Sequence, residues 1–110
     1  MKVSDLETLG YARETKKEME DYIIKAGYTG DLLSDVMANA PSDSVLITIQ
    51  AHKNTIAVAT LAGIRAILVC NNRAIPSDMV EAAEEENVAL FKTKETQFDA
   101  TAKVAAKINN

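Results

Sequence analysis

The residues of this chain with reactive chemistry are few. His52 is the only histidine and Cys70 the only cysteine. An imidazole titrates near neutrality, so His52 could carry a proton or donate to a bound group. It fits equally well as a loop residue that hydrogen-bonds backbone and shapes a turn. Cys70 could be a nucleophile beside His52 if its pKa were lowered. At the end of the apolar run Ala66 to Val69 it reads instead as a small buried side chain. A zinc site of the usual kind needs several such ligands, so no metal site is expected. Ser34 and Ser44 lie outside any G-x-S-x-G elbow. No G-x-x-x-x-G-K-[ST] phosphate loop occurs. The expectation is therefore a protein that is not an enzyme and needs no cofactor.

What remains is binding chemistry. Polar side chains gather just after the apolar runs: Thr29 and Asp31; Gln50, His52, Lys53 and Asn54; Asn71, Asn72 and Arg73; Thr93, Lys94 and Thr96. In an open parallel sheet, ligands bind at the carboxyl ends of the strands, against helix N-termini. The free amides near Asn54 and Thr96 could hold a phosphate or a carboxylate. The candidate ligand-binding set is Gly30, Asp31, Gln50, His52, Asn54 and Thr93. Gly27 and Gly30 would allow a tight turn. Asp31 would cap the next helix. The run Glu84 to Glu86 reads as a solvated helix face.

These groups need elements to position them. Ser4 to Leu9 reads as a short helix, with Ser4 and Glu7 at capping-box spacing and Gly10 as its stop. Arg13 to Asp21 is highly charged, and its periodicity does not choose between loop and helical turn. Tyr22 to Ala26 reads as a strand ending at Gly27. A helix follows from Leu32 to about Asn39, with Leu32, Leu33, Val36 and Met37 on one face, and Pro41 ends it. Val45 to Ile49 is a strand, and Asn54 caps a helix over Thr55 to Leu61 that Gly63 closes. Ala66 to Cys70 reads as a buried strand. The helix after Pro76 turns Met79, Val80 and Ala83 inward. Ala89 to Phe91 is a strand, and Thr96 opens a last helix with Phe98, Ala102, Ala105 and Ile108 on one face. Strand–helix alternation of this kind predicts an α/β fold, a mostly parallel sheet flanked by helices.

Composition sets outer limits. The 110 residues carry 12 Lys+Arg against 16 Asp+Glu, a formal net charge of −4. A single domain over residues 1–110 is expected at this length. Nucleic acid is not expected as a partner, because neutralising phosphates needs a basic face. The apolar runs are too short for a bilayer span, and the start of the sequence lacks a signal-peptide stretch. A lone cysteine rules out an internal disulfide. The expected location is cytoplasmic, with no membrane partner. A core of this size also favours covering any exposed apolar face by forming a dimer.

Two segments carry a family resemblance. Gly27-Tyr28-Thr29-Gly30-Asp31-Leu32-Leu33-Ser34 runs on to Val36-Met37-Ala38-Asn39-Ala40. Ile47-Thr48-Ile49-Gln50-Ala51-His52-Lys53-Asn54 runs on to Ile56-Ala57-Val58-Ala59. Together with the strand from Ala66 and the acidic helix after Pro76, the chain resembles small stand-alone DRTGG-domain proteins. It departs from them where Tyr22 follows Asp21 and where Ala26-Gly27 replaces a double glycine. The resemblance implies a fold similar to the N-terminal domain of HPr kinase/phosphorylase and to those of the MurE and MurF ligases. It further implies a non-catalytic regulatory or ligand-sensing module, homodimeric, that takes a small anionic or nucleotide-like metabolite. The alternatives are a small enzyme using Cys70 or His52, or an accessory subunit docking onto a larger enzyme.

Overall fold

A computed structural model describes all 110 residues. The order of elements is α1 (Asp5–Thr8), β1 (Ala12–Arg13), β2 (Ala26–Thr29), α2 (Leu33–Asn39), β3 (Ser44–Thr48), α3 (Lys53–Ala62), β4 (Ala66–Val69), α4 (Ser77–Glu85), β5 (Ala89–Lys92) and α5 (Gln97–Ile108). The five strands form one sheet in the order β1-β5-β4-β3-β2. β2 to β5 are mutually parallel, and β1 pairs antiparallel with β5. The α/β architecture expected from the sequence is the one observed.

Alternating side chains divide the core into two layers. Val45, Ile47, Ala66, Leu68, Cys70, Ala89 and Phe91 meet Leu6 of α1 and Ala100 and Val104 of α5 on one face. Leu46, Ile67, Val69 and Leu90 meet Val36, Ile56, Ala59, Met79 and Ala83 of α2, α3 and α4 on the other. Every residue of β3 and β4 is buried. Strands covered on both faces need no polar alternation, which is why they read as unbroken apolar runs. The three crossovers advance in one direction, so the right-handed rule puts α2, α3 and α4 on one side. Only α5 crosses back over the opposite side, above β2 and β3.

Local assignments differ from expectation at several points. The strand expected over Tyr22 to Ala26 lies further on, at Ala26–Thr29. Ile24 is buried with α1, and its amide donates to the Met1 carbonyl at 2.7 Å, so this apolar stretch closes the core beside α1. The Arg13 to Asp21 stretch begins with the last residue of β1 and continues without helix. Ser4 makes no side-chain cap bond; its hydroxyl donates to Asp21 Oδ2 at 2.6 Å. Glu7 pairs with Arg13 at 3.1 Å, so the capping box does not form. Leu32 and Met37 are exposed, and Val36 is the one fully buried residue of α2. On α5 the buried residues are Ala100 and Val104, while Phe98 is 82 % exposed. Gly63 closes α3 as expected, at φ +74°. Thr96 caps α5, accepting from the Asp99 amide at 3.2 Å.

Candidate functional site

Four parallel strands side by side bring their carboxyl ends to one rim. Gly30 and Asp31 follow β2, Gln50 follows β3, Asn71 to Arg73 follow β4, and Thr93 follows β5. The candidate residues divide into three groups there.

The first group is an internal network. Asp31 Oδ1 accepts from the Thr48 hydroxyl at 2.9 Å, the Ile49 amide at 2.9 Å and Gln97 Nε2 at 3.0 Å. Gln50 Nε2 donates to the Asp31 carbonyl at 2.7 Å. Asp31 therefore does not cap α2, whose N-cap is Leu32 without a side-chain bond. It ties the β2 and β3 ends to the head of α5. Thr48 and Gln97 were not foreseen as members. The one available signal was Gln97's place just after the Thr96 cap, at the same rim. Gly30 has no left-handed φ. A Cβ built there would lie 3.6 Å from Tyr28, in ordinary contact. Neither Gly30 nor Gly27 is required by the backbone at this turn.

The second group lines an open cleft of about 280 Å³ between the β3 and β4 ends: Ile49, Gln50, Ala51, His52, Arg73 and Ala74. His52 is the N-cap residue of α3, in extended conformation. It takes the position expected for Asn54, which lies within the first turn instead. The His52 and Arg73 side chains are exposed, and Arg73 forms no ion pair. Arg73 is placed by a tight turn. Asn71 and Asn72 are both left-handed, at φ +61° and +53°, a conformation asparagine tolerates better than most residues. Their amides donate to the Glu95 and Thr93 carbonyls, each at 2.9 Å. The sequence places Arg73 among the polar residues of this edge; its freedom from any carboxylate is a tertiary fact.

The third group stands apart. Asn54 lines a different groove, with Lys53, Ile56 and Leu61 of α3 and Ala82, Glu85 and Glu86 near the end of α4. Thr93 Oγ1 accepts from the Glu95 amide at 3.1 Å and bonds no other candidate residue.

Cys70 faces the α5 side, fully buried, with Sγ directed to the Leu68 carbonyl at 3.9 Å. Burial and the nearby Glu95 and Asp31 carboxylates push its thiol up to about 11. Such a thiol is protonated at neutral pH and is a poor nucleophile. Beside it, Tyr11 donates to Glu95 Oε1 at 2.8 Å, and Lys103 bonds Glu95 Oε2. Burial and Glu95 raise the phenol, and Lys103 together with Tyr11 lowers Glu95. No group of His, Cys, Asp and Glu suited to a metal ion is present. No helix is long and apolar enough to cross a membrane.

No family model matches the sequence, and no curated protein matches it either. Among solved structures, the chain is similar to the CBS and DRTGG domains of the regulatory region of a Clostridium perfringens pyrophosphatase, crystallised with its activator diadenosine tetraphosphate. The identity is 12 % and the TM-score 0.63, over 88 % of this chain and 42 % of that one. The chain thus spans under half the length of that structure. The likeness is one of fold: an α/β domain of the kind found in a CBS and DRTGG regulatory region.

Proposed function

We propose that this chain is a non-catalytic, homodimeric regulatory module that senses a small anionic, nucleotide-like ligand. The ligand would sit in the cleft between the β3 and β4 ends. The observation that carries this reading is the pairing of Arg73 and His52 on one cleft with no carboxylate among its lining residues. α3 begins directly after His52; its first amides, those of Lys53 and Asn54, take no part in the backbone bonding, and open amides at a helix start favour negative charge. Gln50 supplies a further polar group, its Nε2 already directed at Asp31. The shared fold with a regulatory region that takes a dinucleotide polyphosphate supports the ligand class. The same relative supports an accessory role beside a larger enzyme as the second reading. The buried, raised Cys70 thiol weighs against the small-enzyme reading.

Calorimetry and thermal shift with diadenosine tetraphosphate, AMP, ATP and inorganic phosphate test this directly. At least one probe should bind at millimolar concentration or below. Arg73→Ala should weaken it by roughly tenfold or more, the usual worth of a charge-assisted hydrogen bond, and His52→Ala by less. If none of these probes shifts melting, the sensing reading falls and the accessory reading stands.

A further inference from the structure

We propose that β2 is the seam of the homodimer, where two copies pair edge to edge, antiparallel, about Tyr28. This rests on the homodimeric reading above and names the surface that reading leaves open.

The two edges of the sheet are unlike. β1 has two residues, and the chain beyond it is tied down by the Glu14 amide donating to Leu90 at 2.7 Å. Short edge strands protect a sheet against pairing. β2 is Ala26-Gly27-Tyr28-Thr29, with no charge, proline or bulge. Gly30 donates to the Ile47 carbonyl at 3.1 Å. Backbone groups alternate in direction along a strand, so Gly27 and Thr29 present theirs away from β3. Both residues are exposed.

A second copy satisfies this edge in one register better than in any other. With Tyr28 on the two-fold axis, Gly27 lies opposite Thr29 of the partner subunit, and Thr29 lies opposite Gly27 of the partner subunit. Each pair exchanges both backbone bonds. An axis through Gly27 or Thr29 would leave one of these residues without a like partner in the strand. The chosen register also sets Lys25 opposite Asp31 of the partner subunit, on the same face. The Lys25 side chain is 70 % exposed, and its only carboxylate contact is Asp43 at 3.6 Å. Asp31 spends Oδ1 on its internal bonds, and Oδ2 has no protein partner. Charge is therefore complementary across the seam in this register.

The layer above agrees. A groove of about 310 Å³ runs along this edge, between Lys25, Gly27 and Thr29 below and Val104, Ala105 and Ile108 of α5 above. α5 packs over β2 and β3, so pairing at β2 brings the α5 helices of the two copies side by side. Isologous contacts of this type close after one partner.

Sedimentation velocity at about 100 µM, with amide hydrogen exchange on the same sample, tests the seam. The expected result is a dimer in which the Gly27 and Thr29 amides exchange roughly tenfold or more slowly than in dilute monomer. Thr29→Pro removes an outward amide, which an edge strand tolerates, together with the exposed 2.7 Å bond between the Thr29 and Thr101 hydroxyls, and should give a folded monomer. Should it misfold, Ala105→Glu on the exposed face of α5 makes the same test. A monomeric parent overturns both this proposal and the homodimeric reading. A dimer with freely exchanging Gly27 and Thr29 amides overturns this proposal alone, as does a dimer that survives both substitutions.

Discussion

Asp31 gathers three donors from segments far apart in sequence: Thr48, Ile49 and Gln97. Removing it strands the Thr48 hydroxyl, on a fully buried residue, and the Ile49 amide. Asp31→Ala should therefore cost about 2–4 kcal/mol, the range for breaking a partly buried polar network. Asp31→Asn keeps an acceptor oxygen and should cost about half of that or less. Urea denaturation of both variants checks the ordering. The residue was legible in the sequence as a polar group at a strand end, but its role was not. Capping preference is a local property, whereas Asp31 is held by partners that only the folded sheet brings near. Arg73 is the converse case: its charge is plain in the sequence, and its lack of a counter-ion is not.

Elements buried on both faces were the most legible. β3 and β4 read directly from their apolar runs, since no solvent-facing residue interrupts them. β2 lies beyond the richer β-forming run because Tyr22 and Ile24 pack in the layer with Leu6 of α1, and the sparse segment Ala26–Thr29 takes the ladder. The face of α5 was misread for a related reason. Phe98 outweighs Ala100 on any hydropathy scale, yet close packing over the sheet favours the small residue. The end of α3 was legible because it depends on backbone alone. Gly63 is left-handed, and a Cβ there would sit 3.2 Å from the Ser42 Cβ. Gly63→Ala should lower stability by about 1–2 kcal/mol, the cost of a left-handed non-glycine residue. Gly30→Ala, with neither constraint, should cost markedly less. Thermal melts of the pair give the comparison.

At the scale of the whole molecule, its charges bracket a range of pH. Hydrogen bonds from Ser4 lower Asp21, and the Arg65 guanidinium lowers Asp43. The Lys16 and Lys17 amides lower Glu84, and Lys103 lowers Glu95. The unfolded chain binds protons at these groups before the folded one does. Their contribution is thus complete above the ordinary carboxylate range and is lost as pH falls through the depressed values. Cys70 and Tyr11 act in the opposite sense. The unfolded thiol ionises near 9.0 and the folded one near about 11, so stability declines as pH rises across that interval. The raised Tyr11 extends the decline. Melting temperature against pH should show a plateau with a fall on each side. Cys70→Ala should flatten the alkaline fall between about 9 and 11. Added salt should shrink the acid one, because the four carboxylates are near solvent.

The antiparallel pairing of β1 with β5 has a consequence for synthesis on the ribosome. Each parallel strand from β3 to β5 docks on the one made just before it, so the sheet can extend as the chain emerges. Ala12 and Arg13 are made early, but their partners are Lys92 and Phe91. The arm's first residues can bond the Tyr22–Ile24 stretch early, but β1 itself must wait until β5 has left the exit tunnel, and it is the last strand to be fastened.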